Sequence, residues 1–176
     1  MERNMRKPEK KVRRLALLAA LTALAMILSY VEAILPPIFA AVPGIKIGLP
    51  NIVIIFVLYT LGAPAAALVS VVRIVLTSLL FGTPLSLIYS LAGAALSLAV
   101  MSLLKKMNVF SAVAISVTGG VAHNIGQIVT AMLLLETAEI GYYLIVLAVT
   151  GTLAGLLVGL LAVFLINRFG TKQFMH

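Results

Sequence analysis

The sequence predicts an all-α integral membrane protein, a six-transmembrane-helix bundle with both chain ends on the inner face (N-in and C-in). Three observations predict it. Of the 176 residues, 62% are apolar and only 10% are charged, whereas soluble domains run at about 45–50% and about 25%. With a mean hydropathy of +1.19, neither a water-soluble globule nor a disordered chain fits. Apolar stretches recur six times, divided by short breaks rich in Pro, Gly or charge. Finally, the cations are placed asymmetrically about those stretches, as the positive-inside rule requires.

Each element can be justified in turn. Residues 1–14 hold seven of the 13 Lys and Arg, namely Arg3, Arg6, Lys7, Lys10, Lys11, Arg13 and Arg14. Beside a hydrophobic run this reads as a basic cytoplasmic segment that sets topology, not as a nucleic-acid footprint. Contact with anionic lipid is a milder role for it. The first helix covers 15–35 and stops at Pro36-Pro37. Its apolar run exceeds the about 7–15 residues of a signal-peptide core, so it reads as a retained span. The second helix covers 47–61 and is short. The third starts at Pro64, a favourable first-turn proline, and covers 64–81. The fourth covers 84–104 and ends at Lys105-Lys106. The fifth covers 110–135 and the sixth 142–167, before a cytoplasmic tail at 168–176. Residues 15–167 thus form one transmembrane domain, with a single longer connection at 36–46. Inner segments hold the N-terminal cations, Lys105, Lys106, Arg168 and Lys172; outer segments hold Lys46, Glu136 and Glu139.

Small residues mark expected helix contacts, because they let backbones approach closely in lipid. Gly151, Gly155 and Gly159 form overlapping GxxxG units on the sixth helix, and internal bundle packing is the plainer reading of them. Ala16 with Ala20, and Ala19 with Ala23, give the same spacing on the first helix.

Polar groups inside the spans are costly, by about 2.5–3.5 kcal/mol for an ionisable side chain. This chain carries Glu32, Arg73 and His123 there, with Asn51, Asn124 and Gln127. At about 1.5 Å per residue, Glu32 falls roughly 26 Å from the inner end of its helix and Arg73 roughly 14 Å. His123 and Gln127 fall roughly 20 and 26 Å up the fifth helix, and Asn51 about 6 Å below the outer end of the second. His123 and Gln127 are four apart and share a face; Asn124 is three from Gln127. Read as a cluster, these residues line a ligand pocket at the midplane and in the outer half, with Arg73 gripping an anionic group. Read singly, Glu32 is an interfacial carboxylate, Arg73 a structural partner of Glu32 or of carbonyls, and His123 a hydrogen-bonded core residue. Lys46 is either a headgroup anchor or part of the site.

Several chemistries are excluded. The chain has no Cys and no Asp, so thiolate metal sites, disulfides and serine triads have no parts. One histidine inside the bundle makes a zinc site implausible. No phosphate-binding P-loop motif occurs, and no aspartate cluster is available to hold magnesium on a diphosphate. No catalytic residue, metal or cofactor is therefore expected.

The run Gly44-Ile45-Lys46-Ile47-Gly48-Leu49-Pro50-Asn51, then Arg73, then Ala122-His123-Asn124-Ile125-Gly126-Gln127 resembles a bacterial family labelled heptaprenyl diphosphate synthase component I. That family is also called the Gx transporter family. The resemblance covers residues 12–168, and the AHNxGQ stretch is its most specific part. The family is similar in hydropathy and helix count to the substrate-binding S-components of energy-coupling-factor (ECF) transporters. That likeness implies a six-helix, S-component-like subunit in a bacterial plasma membrane, with an outward-facing pocket for an anionic or isoprenoid-like small molecule. It implies that residues 36–46 are a lid. It also implies that Ala16, Ala19, Ala20 and Ala23 dock on a membrane coupling subunit energised by separate ATPases. The synthase label implies instead a non-catalytic membrane accessory subunit in making the heptaprenyl tail of menaquinone.

Overall fold

The computed structural model describes residues 2–34 and 48–170, except for the side chains of residues 2–8 and 10. The expected lid at 36–46, with Lys46, and most of the C-terminal tail lie outside the described residues. Six α-helices follow one another: α1 (Glu2–Ile34), α2 (Leu49–Thr60), α3 (Ala63–Phe81), α4 (Pro84–Met107), α5 (Ala112–Leu135) and α6 (Tyr143–Leu165). A 3-10 turn at Ala138–Tyr142 precedes α6, and a wider turn at Ile166–Gly170 follows it. There is no strand among the described residues. The basic segment, taken from sequence as separate, is helical from Glu2 onward and continuous with α1.

Local chemistry explains the helix ends. Thr83 and Ser86 form a reciprocal capping box at the start of α4, with Pro84 in its first turn, so two orphan backbone donors are satisfied. Ser111 caps α5 by accepting from the Ala114 N–H. Gly48, at φ +78°, leads into α2, in a left-handed conformation that costs glycine little.

Among the described residues, five helices are long and apolar enough to cross a membrane; α2 is not among them. Its 12 residues extend only about 18 Å, against about 30 Å of bilayer hydrocarbon. The expectation of six spans therefore meets one helix too short to cross alone. The reason is its position. Every residue from Ile52 to Leu58 is buried, and α2 packs against α1, α3 and α6. A helix apolar all round is a core helix, and one wrapped by neighbours need not match the lipid thickness. Its C-terminal carbonyls still need donors. The Leu61 and Gly62 N–H groups both reach Val57 O, and the Lys105 ammonium donates to Leu58 O at 2.6 Å. Lys105 also sits 4.9 Å from the Tyr59 ring centroid, a cation–π distance. Long apolar side chains elsewhere, such as Leu79, Leu133, Ile145 and Phe164, stay exposed on surfaces suited to lipid.

The α4–α5 and α5–α6 contacts are the most extensive in the molecule. They are made at glycines. A Cβ placed on Gly126 would stand 2.9 Å from Ala92 O and from Gly93 Cα. One on Gly155 would stand 2.7 Å from Val117 Cα, and one on Gly159 2.8 Å from Ser116 Cβ. All three glycines of the GxxxG pair thus face α5, with Gly151 packed against Gly120 and Asn124. The buried Ser116 hydroxyl adds a 2.7 Å bond to Gly155 O.

Candidate functional site

A partly open cavity of about 180 Å³ takes lining residues from all six helices. α1 contributes Ser29, Glu32 and Ala33; α2 contributes Pro50, Asn51 and Ile55. α3 contributes Arg73, Ile74, Thr77, Ser78 and Phe81. Ser86, Ser90, Ser97 and Met101 come from α4, and Ser116, Gly119, Gly120, His123, Asn124 and Gln127 from α5. α6 closes it with Gly151, Ala154, Gly155 and Val158. The spacing of three and four within each helix is what one inward face of an α-helix produces.

Six sequence-predicted residues therefore meet in one cavity: Glu32, Asn51, Arg73, His123, Asn124 and Gln127. Their chemical settings differ. The Glu32 carboxylate accepts a hydrogen bond from the Gly48 N–H, tying the outer end of α1 to the start of α2. Arg73 reaches from α3 to α1, where Nη1 donates to Ser29 Oγ at 3.4 Å. Ser29 is oriented for this, because its own hydroxyl donates back to Ala25 O at 2.9 Å. The Arg73 Nε is buried and has no acceptor among the described residues. Glu32 supplies an attractive negative charge to that guanidinium.

On α5, His123 and Gln127 lie over Gly93 of α4. A Cβ there would come within 2.9 Å of Gln127 Cγ and 3.1 Å of His123 Cε1, so the missing side chain makes room for both. Asn124 has a second task. Its Nδ2 donates to Leu147 O at 2.6 Å, a cross-link to α6 that occupies part of its amide. A Cβ on Gly151 would stand 2.5 Å from that nitrogen, so the glycine makes room for the cross-link.

Three groups of predicted residues lie elsewhere. Lys46 is outside the described residues. Ala16, Ala19, Ala20 and Ala23 are exposed on the face of α1 turned away from the bundle. Of the glycine set, Gly151 and Gly155 line the cavity wall, while Gly159 does not. No group of three or more His, Cys, Asp or Glu residues suited to a metal occurs among the described residues.

Sequence reasoning missed the hydroxyls. Ser86, Ser90 and Ser97, with Gly93 and Met101, follow one another at intervals of four and three along α4. That stripe of small and polar residues in an apolar helix was a readable signal of an inward face.

The family model for heptaprenyl diphosphate synthase component I matches residues 21–165. No curated protein and no solved structure gives a significant match. With its long apolar helices and this match over most of its length, the chain belongs to the heptaprenyl diphosphate synthase component I family as a membrane-embedded member.

Proposed function

We propose that the chain is the substrate-binding, S-component-like subunit of an ECF-type small-molecule transporter. The observation that carries this reading is the convergence of Glu32, Asn51, Arg73, His123, Asn124 and Gln127, from four different helices, on one cavity. Burying that much polarity in a 176-residue apolar chain is costly, and a ligand that uses it offsets the cost. Ligand pockets between bundle helices are common. The chain sits in a bacterial plasma membrane with both ends inside, as its cation distribution supports. Residues 1–14 and 168–176 are its cytoplasmic ends, and 15–167 the membrane domain.

In this role the protein binds and does not catalyse. Arg73 anchors the ligand, with His123 and Gln127 orienting it. Asn51 and Glu32 stand where α2 and α1 meet, and Lys46 belongs to the segment 36–46 that covers the mouth. Energy comes from separate ATPases through a membrane coupling subunit docked on Ala16, Ala19, Ala20 and Ala23. Those alanines are exposed and small enough for close helix contact.

The second reading is a non-catalytic membrane accessory subunit for heptaprenyl diphosphate synthesis. The family's own label favours it. One experiment separates the two. The tagged chain is purified in mild detergent from its native host, and the co-purifying polypeptides are identified by mass spectrometry. Recovery of an ATPase pair with a coupling subunit, weakened by Ala20→Trp, is the expected result. Recovery of a soluble prenyl synthase subunit instead, with no ATPase, overturns the transport role.

A further inference from the structure

The cavity's contents of space and polar groups narrow the ligand class further, on the reading that it binds a ligand at all. We propose that it is built for a compact polar oxyanion, a carboxylate or phosphate of no more than about ten non-hydrogen atoms, held head-first on Arg73. By the same reasoning, a prenyl chain does not enter it.

The first support is the guanidinium. Nη1 donates to Ser29 on α1, while Nε is buried without an acceptor among the described residues. A buried donor left unpaired is costly. The side-on edge of a guanidinium, of which Nε is one donor, matches two oxygens of a carboxylate or phosphate. What Nε lacks among the described residues is therefore an oxygen acceptor, which a hydrocarbon cannot supply.

The second support is size. A volume of about 180 Å³ lies below the roughly 300–1,000 Å³ of drug-sized sites. It is close to the about 150 Å³ that houses benzene. A chain of several isoprene units far exceeds it.

The third support is the wall. The cavity is also lined by Ser90, Ser97 and Met101 of α4 and by Val158 of α6. A prenyl chain there would strip water from serine hydroxyls and offer them nothing in return. A small ligand bearing further oxygens or nitrogens engages them. Ser97 Oγ would stand 3.3 Å from a Cβ on Gly119, so α4 and α5 nearly touch at this level and limit ligand length.

The test uses the full chain in detergent, exchanged free of co-purified small molecules. Thermal melting is measured with acetate, lactate, benzoate, inorganic phosphate and farnesyl diphosphate, each titrated separately. We expect saturable stabilisation by at least one of the four small anions, the carboxylate and phosphate arms showing which headgroup is preferred. Apparent affinity should fall by about ten-fold or more in Arg73→Gln, with partial retention in Arg73→Lys. It should also fall in Ser97→Leu, which keeps the charge and removes the space. Stabilisation by farnesyl diphosphate that depends on Arg73, or no response to any small anion, overturns the proposal. So does a response that survives in both Arg73→Gln and Ser97→Leu. A chain that co-purifies with ATPases yet ignores all four anions keeps its transport role and loses the oxyanion.

Discussion

The two halves of the bundle are held together by different means. α4, α5 and α6 meet backbone to backbone, at Gly93 and Gly126 on one side and Gly155 and Gly159 on the other. α1, α2 and α3 meet through side chains: Ala25, the Ile52–Leu58 run, Ala65, Ala66 and Val69 form much of the buried core. Lipid gives little hydrophobic drive to helix association, so contact comes from close packing and interhelical hydrogen bonds. The glycine half uses both, close approach at its glycines and the Ser116 and Asn124 bonds to α6. The side-chain half holds the charges Glu32 and Arg73. The difference teaches how one small bundle keeps a fixed wall of amides and hydroxyls opposite a wall that carries charge.

Four substitutions, with a fifth as a control, would break or sharpen this contrast, from the largest effect to the smallest. Gly155→Leu drives a branched side chain into Val117 Cα and the Ser116 carbonyl, backbone atoms that cannot rotate away. Loss of monodisperse protein on size exclusion is expected. Ala23→Leu, the same enlargement or nearly so on the exposed face of α1, should leave the elution profile unchanged. Gly126→Ala is milder: overpacking against Ala92 O and Gly93 Cα should cost about 1–3 kcal/mol, read as a lower melting temperature in detergent. An equal melting temperature would show that α4 and α5 can slide apart, and that the halves are alike.

The third change probes the side-chain half. Lys105→Met removes the donor to Leu58 O and should cost about 1–2 kcal/mol. Faster amide hydrogen exchange should be concentrated at residues 57–61, the free end of the short helix. A uniform increase across all helices would deny α2 a special cap. Smallest is Ser116→Ala, which deletes one interhelical bond to Gly155 O. Such bonds average about 0.6 kcal/mol within membrane bundles, so the melting temperature should fall only slightly while the glycine contacts hold.

Much of the fold was legible because lipid imposes a simple rule on sequence. A segment in hydrocarbon must satisfy its own backbone and show apolar side chains. Four expected helices, 64–81, 84–104, 110–135 and 142–167, therefore fall within a few residues of α3 to α6. The convergence of the polar residues was legible for the same reason. Glu32, Arg73 and His123 have no favourable place against lipid, so they point inward, and a six-helix bundle has few interiors to share. The serine stripe of α4 carried the same information, but a hydroxyl is cheap enough to hide in a helix by bonding its own turn, and its direction passed unnoticed.

Sequence by itself determined that this is an apolar, helical membrane protein with a buried polar cluster, since composition, periodicity and charge asymmetry are properties of the chain alone. Only the tertiary structure decided what each polar group is engaged in. Nothing in the spacing of Asn124 shows that its amide is committed to Leu147 O, because that bond joins residues 23 apart and depends on Gly151 leaving space. Nothing in Lys105 shows that its ammonium also caps α2, 47 residues away. The brevity of α2 was visible, but its meaning was not. A short apolar helix either thins the lipid around it or is enclosed by other helices, and only the packing of α1, α3 and α6 around it selects the second.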